Sequence, residues 1–164
     1  MKLDNLKSLL VEDLMDLYDA ERQITEALPQ MIEAASSPDL KRSLEEHLKV
    51  TKKQSERLDK VFKRMGIEVE EKTCEGMKGL IKEGQKVLRQ KAEPEVQDAA
   101  IIAAAQKVEH YEIAGYGTAR TYARMLGDME TAQLLEQTLD EEGQADQKLT
   151  KLAEYQVNPK AAGM

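Results

Sequence analysis

The chain has 164 residues, 41% apolar, 34% charged and 4% aromatic, with 24 basic against 31 acidic side chains and a formal net charge of −7. That length suffices for one domain with a real core, and a composition rich in Ala, Leu, Glu, Lys and Gln is that of a helical protein and not of a sheet. The acidic balance excludes nucleic acid as the expected partner, no apolar run approaches the roughly 18 residues of a membrane span, and Met1-Lys2-Leu3-Asp4-Asn5 carries no signal-peptide core, so a cytoplasmic location is expected.

The first stretch sets Leu6, Leu10, Leu14, Leu17, Ile24, Leu28 and Met31 at helical spacing with charges opposite, predicting a helix from Leu3 to Ala35. Pro29 lies inside it without an amide donor, so a kink near Thr25 or a break after Leu28 is expected. Ser37-Pro38-Asp39 reads as the N-cap, first residue and first-turn acid of a second helix that runs to Met65 and stops at Gly66. Between Gly66 and Pro94 the connection is long, and Met77, Leu80, Ile81, Val87 and Leu88 predict a shorter amphipathic helix from about Cys74 to Gln90. Cys74, the single cysteine, excludes an intrachain disulfide and reads as a small packed residue, with a redox role as the alternative. Pro94 opens a third long helix that ends at Leu126, with Gly127 as its cap and Asp128 capping a fourth that continues to about Gln156. Residues 158–164 show no periodicity and are expected to form a flexible tail, leaving 1–157 as a single domain. Two short turns around one long crossover make the second and third long helices parallel. The expected fold is therefore all-α, a ferritin-like four-helix bundle whose crossover carries a fifth, shorter helix.

A faint internal repeat adds chemistry to this frame. At an offset of 91 residues, Glu21 falls on Glu112, Leu44 on Leu135, Leu48 on Leu139, Thr51 on Glu142 and Leu58 on Leu149. Two hairpins that repeat in this way, each with a lone Glu on its first helix and a polar site about 30 residues later, are the arrangement that builds a dinuclear metal site between four helices. Glu21 shares the face of Leu14, Leu17 and Ile24, where an unpaired carboxylate must neutralise, pair or bind a metal. His47, Thr51, Gln54 and Leu58 form one stripe of the second helix, Glu109, Glu112 and Tyr116 one of the third, and Thr138, Glu142 and Asp146 one of the fourth. The basic residues of the second helix, Lys49, Lys52, Lys53, Arg57, Lys60, Lys63 and Arg64, read as a solvated outer face.

The segment DAAIIAAAQKVEHYEIAGYG from Asp98 to Gly117 resembles the YciF/YciE family of bacterial ferritin-like stress proteins. So do Tyr18-Asp19-Ala20-Glu21-Arg22-Gln23, His47-Leu48 with Thr51 and Gln54, Cys74 with Met77-Lys78-Gly79-Leu80-Ile81, and Thr138-Leu139-Asp140-Glu141-Glu142. The resemblance covers nearly the whole chain. It implies a bundle related to rubrerythrin and dimanganese catalase and an association with stress responses. The sequence departs from the wider di-iron pattern, in which two helices each carry a Glu and two carry Glu-x-x-His. Glu21 and Glu112 keep the single-Glu positions, but the motif positions read Thr51-x-x-Gln54 and Glu142-x-x-Ala145.

The candidate metal ligands are therefore Glu21, His47, Gln54, Glu109, Glu112, Glu142 and Asp146. An oxygen-rich set with at most one imidazole suits iron or manganese better than zinc or copper. The expected function is a stress-response protein with a carboxylate-rich, partly degenerate di-metal site, assembled as a homodimer. The alternative is a non-catalytic bundle that has lost its site and works by association, in which the inward acids pair with Gln54, Gln106, His47 or tyrosine hydroxyls instead of a metal.

Overall fold

The computed structural model describes residues 3–164 and contains helices and turns only. Helix α1 spans Leu6–Ala34, α2 Pro38–Met65, α3 Glu75–Leu88, α4 Pro94–Met125 and α5 Met129–Leu152. Four of these five starts are capped by a side chain, and the fourth helix opens on Pro94, which has no amide to satisfy. The Asn5 side chain accepts from Ser8 N, Ser37 Oγ from Leu40 N, Cys74 Sγ from Met77 N and Asp128 from Thr131 N, each satisfying an amide that the first turn leaves free. Helix α2 ends on Gly66 at φ 66°, a left-handed conformation that glycine adopts without a Cβ clash.

Two expectations need correction. Of the kink or break expected at Pro29, the break does not occur, because α1 runs without interruption to Ala34. One missing backbone bond is outweighed by the packing of Ile24 and Leu28 before it and the docking of Met31 and Ile32 after it against the same core. In place of the irregular tail, the chain continues beyond α5 through a wider π-type turn at Ala153–Val157 into a short helix α6, Asn158–Ala161. Burial of Ala153 and Val157 against α4 draws this segment onto the bundle.

Two apolar cores fix the helix directions. One gathers Ile24, Leu28, Leu40, Leu44, Ile101, Ala105 and Leu149. The other gathers Leu10, Leu14, Leu17, Leu58, Phe62, Tyr116, Ala119 and Leu135. Helices α1 and α5 therefore run from the second core to the first, whereas α2 and α4 run from the first to the second, so α2 and α4 are parallel, as a ferritin-like crossover requires. Helix α3 packs on α1 and α4. The α1–α4 contact is close at Gly115, where a Cβ would lie 2.7 Å from Leu17 Cδ2.

Two buried acids hold the connections. Asp98 on α4 accepts from Ser36 N at 2.7 Å and Ser37 N at 2.8 Å, pinning the α1–α2 turn. Asp19 on α1 accepts from Cys74 N at 2.8 Å and from Gln23 Nε2 at 2.6 Å, pinning the start of α3.

Candidate metal centre

Between the two apolar cores lies a polar layer, and the helix directions put one turn of each long helix into it. Glu21 comes from α1 between Leu17 and Ile24, and His47, Thr51 and Gln54 from α2 between Leu44 and Leu58. Glu109 and Glu112 come from α4 between Ala105 and Tyr116, and Glu142 from α5 between Leu135 and Leu149; all seven polar residues are buried. His47, Glu109, Glu112 and Glu142 each offer one ligand atom within 4.8 Å of all the others, a grouping that could hold a metal ion.

Protein donors reach only part of this layer. Tyr116 OH donates to Glu21 Oε1, Gln54 Nε2 donates to Glu142 Oε1, and His47 Nδ1 lies 3.1 Å from Glu109 Oε1. No donor reaches Glu21 Oε2, Glu109 Oε2, Glu142 Oε2 or either oxygen of Glu112. Instead the carboxyl groups face one another, Glu21 with Glu112 and Glu109 with Glu142, contacts that are favourable only if one member of each pair holds a proton.

The electrostatics follow from this crowding. Burial and the neighbouring Glu142 push Glu21 up to about 8, against the opposing bond from Tyr116. Burial, with the facing Glu142, pushes Glu109 up to about 12. Glu112 is raised well above the carboxylate range by burial and by the charges of Glu21, Glu142 and Glu109. Burial lowers His47, so the His47–Glu109 contact joins two groups that burial drives toward their neutral forms.

The candidates that fall outside the cluster are equally informative. Asp146 sits about one turn further along α5, accepting from Gln106 Nε2 at 3.1 Å and lying 3.3 Å from His110 Nε2. His110 itself is mostly exposed. Gln54 reaches the layer as a donor to Glu142 rather than as part of the four-residue group. Arg57, read from the sequence as an outer-face cation, is buried instead, bonding Glu141 with both terminal nitrogens at 2.9 Å and donating to Thr138. Neither Arg57 nor Glu141 was marked by the repeat. Its sequence signal was the helical spacing from Gln54 and Leu58, which places Arg57 beside the inward stripe. Cys74 is buried at the N-cap of α3, 3.1 Å from Tyr111 OH and 3.2 Å from Asp16 Oδ2, and its thiol is raised by burial, which fits a packed cap and not an activated nucleophile.

Comparison with known proteins agrees with this architecture. Residues 5–162 match the family model described as "Domain of unknown function (DUF892)". The chain is 43% identical over 162 residues to Protein YciF of Escherichia coli, covering 98% of each sequence. It also superposes on the crystal structure of the E. coli stress protein YciF with a TM-score of 0.91, covering 94% of this chain and 98% of that one. The solved structure of YcfI from Rhodopseudomonas palustris matches at 46% identity and a TM-score of 0.88, with 91% and 95% covered.

Proposed function

The chain belongs to the DUF892 family, and on that footing we propose that it is a bacterial stress-response protein that binds a hard divalent cation, iron or manganese, in the polar layer of its bundle. The observation that carries this reading is the set of five buried carboxylate oxygens, on Glu21, Glu109, Glu112 and Glu142, that no protein donor reaches. Buried acids with this many free lone pairs fit a cation that replaces the shared protons. His47, Glu109, Glu112 and Glu142 would hold the ion, with Glu21 beside them. One imidazole among carboxylates favours manganese, magnesium or iron. A bound ion of this kind supplies Lewis acidity and, as iron or manganese, one-electron redox capacity. The protein's own part is positioning: Tyr116 orients Glu21, Gln54 orients Glu142, and the two apolar cores exclude water from the layer above and below.

Metal analysis of protein purified without chelator, repeated on the Glu21→Gln/Glu112→Gln double variant, tests the reading. Metal content that falls with the double substitution supports it. Content unchanged by that substitution overturns it.

The association reading keeps one specific support. The bonds from Tyr116 to Glu21 and from Gln54 to Glu142, with the His47–Glu109 contact, are the internal pairings that a bundle with a lost site would use. It predicts a protein that is metal-free, assembles as a homodimer and is unaffected by chelators.

A further inference from the structure

A cavity of about 290 Å³ opens beside the polar layer, with His47, Glu109 and Glu142 in its wall. The rest of its wall is mainly apolar, including Ile24, Leu28, Leu44, Val108 and Leu149. The cavity also reaches Leu80 and Ile81 of α3, which packs on α1 and α4, and Lys148 of α5, which packs on α2 and α4. The cavity thus touches all five helices. Ala145 is part of its wall, three residues after Glu142. In a Glu-x-x-His motif that position carries the imidazole, so the small side chain leaves open the room a ligand histidine would fill.

The charges at the cavity narrow what can enter. The Lys148 ammonium bonds Glu46, which cancels its positive charge, and Gln30, Ser43, Gln85 and Gln144 in the wall are neutral. Glu141 is already committed to Arg57. An anionic head therefore finds no free cation, while an apolar chain finds a matching wall. At about 30 Å³ per small group the cavity holds about ten non-hydrogen atoms.

We propose that this cavity binds a neutral aliphatic molecule with a single oxygen head, of the medium-chain alcohol or aldehyde class, its chain along the apolar wall and its head toward His47, Glu109 and Glu142. The position of the head rests on the metal reading above; the occupancy of the wall does not.

The test is a calorimetric titration of the full chain, with and without manganese, using hexanol, octanol, decanol and dodecanol, and octanoate as the charged control. One molecule should bind per chain. Affinity should rise about fourfold per added methylene, from burial of each group, and level off beyond decanol where the cavity is full. Octanoate should bind at least tenfold more weakly than octanol. Gly84→Leu, which fills the cavity from the α3 side away from the proposed ligands, should abolish octanol binding while manganese affinity stays the same; Ala104→Leu, on the facing α4 wall, serves the same purpose if the first variant does not fold. Unsaturable binding, affinity that keeps rising through dodecanol, octanoate binding as tight as octanol, or octanol binding that survives the filling substitution would overturn the proposal. Manganese binding without octanol binding sinks this proposal alone. Octanol binding without manganese binding supports the cavity site and sinks the metal reading alone.

Discussion

Two sets of buried acids, in different parts of the same bundle, are treated in opposite ways. Asp98 and Asp19, 3% and 4% exposed, sit where connections dock and are supplied with backbone amides. Glu21, Glu112 and Glu142 are all 0% exposed, yet most of their oxygens meet no donor at all. Both sets are shielded from solvent, but the donors supplied to them differ. The acids that pin the connections are given their partners by backbone amides, whereas those of the polar layer are not.

Breaking the first set should have the largest effect. Asp98→Ala strips two bonds from the α1–α2 turn and leaves two amides without partners, and should cost about 3 kcal/mol of unfolding free energy in a urea titration. Glu112→Gln in metal-free protein should cost less than about 1 kcal/mol, because it removes a carboxyl that has no donor to lose and relieves its neighbours. Equal losses in the two variants would erase the distinction.

Manganese should act on the second set only. At a free concentration about 100-fold above its Kd, the ion should stabilise the native state by about 2.7 kcal/mol and raise Tm by about 5–10 °C at pH 7.5. Glu112→Gln should abolish the shift, and Asp98→Ala should retain it. The shift should shrink toward pH 5, where protons compete for the same oxygens.

The pH dependence of the metal-free protein sharpens the contrast further, because the two sets act in opposite windows. Burial alone would raise Asp19, but the Cys74 amide, Gln23 and Arg22 outweigh it and hold the acid below 3.8. Its contribution is present above the unfolded value and is lost as pH falls through the lowered one. Glu21 is raised from 4.5 to about 8, so its contribution is present below 4.5 and is lost as pH rises through about 8. Denaturant titrations should therefore show metal-free stability declining from pH 5 to pH 8, and Glu21→Gln should flatten that decline. A stability that rises across this range in the metal-free protein would contradict the assignment.

A further effect concerns orientation. Tyr116→Phe removes the donor to Glu21 and should cost about 1 kcal/mol. In the metal reading it should also weaken manganese binding by about tenfold or more, as loss of a partner that orients a ligand does. A change in stability with no change in metal affinity would place Tyr116 in the packing alone.

Much of this was legible in the chain because the signals are local. Ser37-Pro38, Gly66 and Asp128 mark helix ends through their own backbone chemistry, and the 91-residue repeat aligned Glu21 with Glu112 before any packing was known. What stayed hidden depends on contacts distant in sequence. Arg57 is one cation among nine on α2, and only its reach to Glu141, 84 positions away, turns it inward. Asp146 shares the stripe of Glu142, but the four-residue step along α5 carries it past the layer toward Gln106 and His110. The run from 158 to 164 lacks periodicity, yet its first turn is drawn into a helix by burial of Val157, which precedes it. Pro29 marked a break that packing on both sides overrides.

The central claim, that the donor-poor acids await a cation, is tested most directly by diffraction from crystals of the full chain soaked in manganese and measured on both sides of its absorption edge. The account predicts an anomalous peak enclosed by His47, Glu109, Glu112 and Glu142, absent in the Glu21→Gln/Glu112→Gln variant. No peak in that layer at saturating manganese, with the four side chains still paired among themselves, would contradict it.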